Sequence, residues 1–303
     1  MSSFLFYVGA FAIAYLGLTV FLMMLSSRIP AAGFFGLLLA SYASLLVAAT
    51  YGVFISILMR LIGHGRSSQW ATGRLFKYLM RFTTGITFSI EDPNDYLNTT
   101  RPAIFIGNHQ TELDVLMLGC IFPHHCSVTA KKSLKSMPFL GWFMSLSGTV
   151  FIDRANSTNA RHAMAGASEE ITREKQSVYM FPEGTRSYAK EPMLLPFKKG
   201  AFHLAVQAGV PIVPVVVANY SNVLFVPGWK FKAGDIPVKV LKPIETKGLQ
   251  PSDVEDLARD TRELMLQQIV ALTAKARGRP VAMPAQNSGD GVVKASGAEA
   301  TIS

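Results

Sequence analysis

The sequence predicts an α/β fold: a mixed, largely parallel sheet flanked by helices, preceded by an N-terminal hydrophobic helical hairpin. Three observations predict it. Two long uncharged stretches fill the first sixty residues. From about residue 86, short β-branched runs alternate with longer helical segments, the pattern of a layered α/β domain. Polar and charged clusters then follow several of the apolar runs directly, at the strand ends where such domains build sites.

The hairpin comes first. No charged residue occurs from Met1 to Ser27, and after Arg28 none occurs until Arg60. A helix of about 20 apolar residues crosses a hydrocarbon core at roughly 1.5 Å per residue, and each stretch is long enough. Helices are expected near 4–25 and 33–58, joined through 26–32 with Pro30 in the turn. A cleaved secretion signal is disfavoured, because Met1–Ser3 carries no basic residue and the apolar segment is too long. A re-entrant hairpin dipping into one leaflet stays open beside a spanning one.

The chain of 303 residues carries a net charge of +9, with 16% charged and 50% hydrophobic residues. Much of the early positive charge, Arg60, Arg66, Arg74, Lys77 and Arg81, lies just beyond the second apolar stretch. The positive-inside rule puts everything after residue 60 on the cytosolic side. Leu75, Phe76, Tyr78, Leu79 and Phe82 alternate with those bases, so 68–84 reads as an amphipathic helix in the headgroup layer. Beside such an anchor, anionic lipid suits the surplus base better than nucleic acid, which is not an expected partner. The organisation is therefore a membrane hairpin (1–59), an amphipathic interfacial segment (60–85), an α/β domain (86–277) and a disordered tail (278–303) poor in apolar residues.

Within the α/β domain, strands are expected at 86–90, 103–107, 126–130, 149–152, 177–181, 212–217 and 236–242. Helices are expected at 112–121, 138–146, 157–175, 199–209 and 252–276. Cys120 and Cys126 lack any spacing that would hold a metal and read as reduced core thiols. Asn98 and Asn156 fit the glycosylation pattern, which a cytosolic domain leaves unmodified.

Four clusters carry chemistry. The first, Asn108-His109-Gln110-Thr111-Glu112-Leu113-Asp114, leaves a strand and enters a helix. Activating a hydroxyl for attack needs a base for its proton, and histidine titrates near neutrality. A carboxylate fixes its tautomer and steadies the imidazolium. On one continuous helix, positions i and i+5 diverge by about 140°. His109 and Asp114 meet only if the first sits in the loop and the second in the helix's first turn. The bland alternative is a capping box, Thr111-x-x-Asp114, with Asp114 satisfying backbone donors.

The second cluster, Gly148-Thr-Val-Phe-Ile-Asp153-Arg154, ends a strand in a cation, or else in an ordinary surface ion pair. The third is Phe181-Pro182-Glu183-Gly184-Thr185-Arg186-Ser187. Here Gly184 permits close approach of the backbone and Arg186 offers a fork for phosphate, unless Glu183-Gly184 is a plain turn. Lys198 and Lys199 close the same long loop. The fourth, Val210-Pro211-Ile212-Val213-Pro214-Val215, reads as a buried strand that shapes a site without reacting. Phe139, Leu140, Trp142 and Phe143 suit either an apolar ligand groove or a core helix.

In this order and spacing, NHQTELD, GTVFIDR, FPEGTRS and VPIVPV resemble the four motifs of the glycerolipid acyltransferase family, and most closely its fungal and eukaryotic 1-acyl-sn-glycerol-3-phosphate acyltransferases. The resemblance covers roughly residues 60–245. It implies acylation of the sn-2 hydroxyl of lysophosphatidate, with acyl-CoA as cosubstrate and with neither cofactor nor metal. It implies His109 as base and Asp114 as its partner. It further implies Arg154, Glu183, Gly184, Thr185 and Arg186 around the acceptor's glycerol phosphate, with Lys131, Lys198 and Lys199 assisting. The eukaryotic character implies the endoplasmic reticulum. Glycerol 3-phosphate or another lysophospholipid remains an alternative acceptor. An acyl-CoA hydrolase and a non-catalytic lipid-binding membrane protein are the rival classes. The first lacks a Gly-x-Ser-x-Gly elbow, and the second has no need of His109 beside Asp114.

Overall fold

The computed structural model describes residues 2–153, 166–169 and 171–284. Helices α1 (Ser2–Leu25) and α2 (Pro30–Leu61) form the expected hairpin, each long and apolar enough to cross a membrane. Pro30 sits at the start of α2, where a missing N–H costs nothing. The two helices differ sharply in burial. α1 leans on α2 and is otherwise exposed, whereas α2 is gripped along its length.

A row of small residues explains the grip. Ala32, Gly36, Ala40, Ser44, Ala48, Gly52 and Ser56 recur every fourth position along α2, and all are buried. Side chains that small let neighbours come close. Gly36 faces Met23 of α1, and Gly52 faces the ring of Phe143. Ser44 Oγ shares a hydrogen bond with Thr83 Oγ1 at 3.0 Å, fixing α3 (Ser68–Thr84) against α2. α3 has the bounds expected of the amphipathic segment. It buries Phe76 and Met80 inward and leaves Tyr78 and Phe82 exposed.

The α/β domain follows. In chain order come β1 (Ile86–Glu91), α4 (Tyr96–Thr99), β2 (Ile104–Gly107), α5 (Asp114–Ile121), β3 (Cys126–Lys131), α6 (Leu140–Leu146) and β4 (Val150–Ile152). Then come β5 (Ser177–Met180), α7 (Gly200–Ala208), β6 (Ile212–Val217), β7 (Leu224–Phe225), β8 (Lys230–Phe231), β9 (Gly234–Val240) and α8 (Val254–Arg277). Seven strands form one sheet, ordered β1-β9-β6-β2-β5-β3-β4. β6, β2, β5, β3 and β4 run parallel to one another. β9 pairs antiparallel with β6 and parallel with β1.

Alternation along the strands divides the core into two layers, as the period of two requires. Phe105, Tyr179, Val213 and Val215 face the α2–α3–α5 side, with Met80, Leu116 and Met117. Ile104, Ile106, Val178 and Met180 face the other side, with Phe202, Leu204, Met265 and Ile269 from α7 and α8. Both cysteines are free and buried, as expected.

All seven expected strands of the main sheet are present. The short β7–β8 pair and the single turn α4 are additions, too brief to leave a periodic trace. Of the helix expected at 157–175, residues 166–169 and 171–174 are helical. Its beginning, Arg154, Asn156 and the tail from 285 lie outside the described residues.

The topology gathers the chemistry. Because β2, β5, β3, β4 and β6 are parallel, their carboxyl ends share one edge of the sheet. The residues that follow them there are Asn108-His109, Phe181–Ser187, Lys132, Asp153 and Ala218–Tyr220.

Candidate active site

β2 ends at Gly107, and α5 begins at Asp114. His109 therefore stands in the intervening loop and Asp114 in the helix's first turn, the arrangement the spacing demands. Asp114 Oδ2 lies 2.7 Å from His109 Nδ1. The same oxygen accepts the backbone N–H of Gln110 at 2.6 Å and of Thr111 at 3.2 Å. Thr111 Oγ1 in turn accepts the N–H of Leu113 at 3.2 Å. The bonds that hold the loop before α5 also aim the Asp114 carboxylate at the imidazole. A carboxylate at a helix N-terminus is further favoured by the macrodipole.

Tyr220 is the residue that sequence reasoning missed. It follows β6, is 2% exposed, and donates from its hydroxyl to Asp114 Oδ1 at 2.7 Å. The Tyr220 hydroxyl in turn accepts the N–H of Thr111 at 3.1 Å. Both oxygens of the fully buried Asp114 are thus held. Burial, together with the charge of Asp114, pushes the Tyr220 phenol well above its ordinary range, so it stays a donor. The signal in the sequence was an aromatic hydroxyl soon after an apolar strand of a parallel sheet, which is faint without the fold.

The His109 ring is clamped on its other sides. Phe181 stacks on it at 4.2 Å between centroids, 19° from parallel. The carbonyl of His109 accepts from Ser187 N at 3.0 Å, and that of Gln110 from Tyr188 N at 3.1 Å, zipping the two motif loops together. Nδ1 is engaged by Asp114, Nε2 makes no hydrogen bond among the described residues, and the side chain keeps 15% exposure. That leaves one basic nitrogen open to a ligand.

Glu183, expected beside the acceptor, turns inward. Glu183 is 3% exposed, and its oxygens are spent on the backbone N–H groups of His109 at 2.6 Å and Leu195 at 2.9 Å. It is a positioning residue. Burial raises its carboxyl to about 7, against the lowering effect of those two bonds.

Gly184 takes a left-handed backbone conformation. Its φ of +71° suits glycine, and an added Cβ would stand 3.0 Å from Lys198 Nζ. Lys198 is thereby folded over the turn that carries the exposed Thr185 and the half-buried Arg186. Arg186 Nη1 donates to Glu112 Oε1 at 3.0 Å and to Tyr188 Oη at 3.2 Å, while Tyr188 donates to the same Glu112 oxygen at 2.6 Å. Burial works against the Arg186 charge, but the tyrosine and the carboxylate outweigh it and raise its pKa. Its Nε is buried without a partner. Lys131 ends β3 on the same sheet edge and is exposed. Lys199 does not join the cluster: its ammonium pairs with Glu255 of α8 at 2.9 Å.

An apolar groove has Val115, the residue after Asp114, in its lining. It runs between α2, α3, α5 and α6, past Ala49, Gly73, Leu118, Leu140 and Phe143. Of the four residues weighed for such a groove, Leu140 and Phe143 line it. Phe139 and Trp142 do not; they are exposed.

Comparison with known proteins gives a consistent picture. A family model described as Acyltransferase matches residues 89–218. A 1-acyl-sn-glycerol-3-phosphate acyltransferase of Saccharomyces cerevisiae is 45% identical over 216 residues, 71% of this chain and 71% of that protein. A protein of the same name from Haemophilus influenzae is 37% identical over 69% of this chain and 82% of its own length. The crystal structure of the 1-acyl-sn-glycerophosphate (LPA) acyltransferase PlsC from Thermotoga maritima has a TM-score of 0.64 at 24% identity. It covers 78% of this chain and 95% of that one, a likeness of fold.

Proposed function

The chain belongs to the acyltransferase family, and we propose that it transfers a fatty acyl group from acyl-CoA to the sn-2 hydroxyl of 1-acyl-sn-glycerol 3-phosphate, giving phosphatidic acid and CoA. The observation that carries this reading is the His109 Nδ1–Asp114 Oδ2 contact of 2.7 Å, which leaves Nε2 without a hydrogen bond among the described residues.

The chemistry follows from that geometry. Asp114 holds the proton on Nδ1, so Nε2 presents a lone pair. Arg186 and Lys198 grip the acceptor's phosphate, with Lys131 at the neighbouring strand end and Arg154 beyond β4 assisting. Thr185 sits at the tip of the same turn. Nε2 takes the hydroxyl proton as the oxygen attacks the thioester carbonyl. The C–O bond forms, the C–S bond breaks, and the imidazolium returns its proton to the departing thiolate. Asp114 stabilises the transient cation. The groove beside Val115 receives the acyl chain. No metal or prosthetic group enters the scheme.

The membrane assignment is part of the reading. The bases after α2 favour the cytosolic face, and we assign the protein to the endoplasmic reticulum on its eukaryotic resemblance. The hairpin is read as lying along one leaflet. The globular domain touches α2 near both of its ends, Phe231 against Phe34 and Phe143 against Gly52. A crossing α2 would drag the exposed Lys230 and Lys232 beside it toward hydrocarbon.

The deciding experiment supplies the purified protein in vesicles with labelled acyl-CoA and a panel of lysolipids and glycerol 3-phosphate, and identifies products by mass. Phosphatidic acid formed only with lysophosphatidate is expected. Free fatty acid irrespective of acceptor would make it a hydrolase. No product with any acceptor would leave a lipid-binding protein.

A further inference from the structure

Glu112 stands between the catalytic pair and the phosphate grip, and the acyl-transfer chemistry gives it no task. It lies two residues before Asp114, in the loop that carries His109. The zipped motif loops bring Arg186 and Tyr188 onto it, with Tyr188 held in a left-handed conformation at φ +48°. Arg186 Nη1 at 3.0 Å and the Tyr188 hydroxyl at 2.6 Å both donate to Glu112 Oε1. Oε2 accepts no hydrogen bond among the described residues, and the side chain is 43% exposed. Arg186 bonds there through Nη1 alone. A carboxylate with one outward oxygen is thus fixed beside a guanidinium with donors to spare.

This pairing has a polarity that a bare phosphate does not match. A phosphate monoester carries about −1.5 to −2 charges near neutrality. Arg186 and Lys198 attract it, and Glu112 repels it. An ethanolamine ester of the same lysolipid differs here: its phosphodiester is singly negative, and an ammonium follows two carbons later. With the phosphate on Arg186 and Lys198, standard bond lengths put the ammonium about 4–5 Å from phosphorus, and a hydrogen bond of about 3 Å completes the reach to a neighbouring carboxylate. The ammonium then donates to Glu112 Oε2 while Arg186 keeps Oε1. Every charge in the head faces its opposite, and bonds between ionised partners are the stronger kind. A choline head has the charge but no N–H, and a glycerol head has no cation.

We propose that Glu112 determines acceptor specificity and gives the site a second acceptor class, lysophospholipids whose phosphodiester bears a primary ammonium. The reaction is unchanged. The sn-2 hydroxyl oxygen attacks the thioester carbonyl, the C–S bond breaks, and the proton passes through His109 to the thiolate, giving phosphatidylethanolamine and CoA. This rests on the acyltransferase reading above and adds an acceptor to it. One carboxylate sets the balance between the two acceptors, because it attracts the ammonium head and opposes the monoester.

The test supplies the full chain in vesicles with labelled acyl-CoA and one acceptor at a time: lysophosphatidate, lysophosphatidylethanolamine, lysophosphatidylcholine or lysophosphatidylglycerol. Wild-type kcat/KM for the ethanolamine acceptor is expected to exceed that for the choline and glycerol ones by about two- to fivefold, the scale of one half-exposed ion pair. Glu112→Gln should erase that margin while improving lysophosphatidate, moving the ratio of these two acceptors by roughly tenfold. A merely structural role would lower all four together. Equal wild-type values for ethanolamine and glycerol heads, or a margin that survives Glu112→Gln, overturns the proposal. Phosphatidic acid formed without that margin sinks the second acceptor alone. Transfer to the ethanolamine acceptor with none to lysophosphatidate sinks the lysophosphatidate reading alone, and transfer to no acceptor sinks both.

Discussion

The hydroxyl of Tyr220 donates to Asp114 Oδ1 at 2.7 Å, so the carboxylate that steadies His109 is itself held from the far side. A buried carboxylate with one idle oxygen would rotate between two bonding partners. With both oxygens engaged, its direction is set before any substrate arrives. Tyr220→Phe removes that bond and little volume. The expected outcome is a fall in kcat of about tenfold, the scale of one hydrogen bond to a charged group, with KM unchanged. Steady-state kinetics with lysophosphatidate checks it, and an unaltered kcat would count against a positioning role.

His109→Ala removes the base. Turnover should drop by roughly 10²–10⁴-fold with the fold retained. Asp114→Asn should lose activity on a similar scale and also lower the melting temperature, because Oδ2 serves two backbone N–H groups as well as the ring. Parallel measurements of initial rate and thermal unfolding distinguish the two.

Arg186 is occupied before substrate binds, by the carboxylate of Glu112. An incoming phosphate must compete with that charge. Glu112→Gln should lower the KM for the acceptor by about two- to fivefold, as expected for one half-exposed ion pair. Tyr188 still orients the guanidinium at 3.2 Å in that variant. A raised KM would mean that Glu112 serves the grip by aligning it.

Glu183 gives a pH signature. Its carboxyl is raised from an ordinary 4.5 to about 7, so the folded chain holds this proton more tightly than the unfolded one. Stability from this group is therefore greatest below pH 4.5 and declines as pH rises toward 7, by on the order of 3 kcal/mol across the window. Glu183→Gln should flatten the slope. It should also lower kcat, since one of two backbone donors, on His109 or on Leu195, loses its acceptor. Melting temperatures read across that pH range give the result.

Gly107 is fixed by contact. A Cβ there would lie 2.0 Å from the buried Tyr179 hydroxyl. Gly107→Ala should destabilise the fold by about 1–3 kcal/mol and displace the start of the His109 loop. Denaturant unfolding and kcat should fall together in this variant.

The fold was legible because a buried parallel strand leaves an unmistakable run, as in Ile212–Val217, where every residue is buried. The hairpin was legible from its lack of charge. His109 and Asp114 were legible because one spacing admits one geometry. Other features arise only from three-dimensional neighbours. Tyr220 comes to Asp114 across the sheet, and Glu183 faces inward because backbone donors of His109 and Leu195 converge there. Lys199 turns to Glu255, a partner far along the chain. The small-residue row of α2 emerges only with the packed helix, because hydrophobicity alone does not separate Gly36 and Gly52 from their apolar neighbours.

α8 reaches the site's supports from outside. Arg262 donates to the carbonyls of Leu194 and Leu195, and Arg277 to the carbonyl of Lys190 and the side chain of Asn219, next to Tyr220. Ribosomal synthesis delivers the greasy hairpin first and this buttress after every strand. Among the described residues, the last helix to be made is thus the one that braces the loops beside Tyr220, so the support of His109 and Asp114 is complete only when the chain has been synthesised through Arg277.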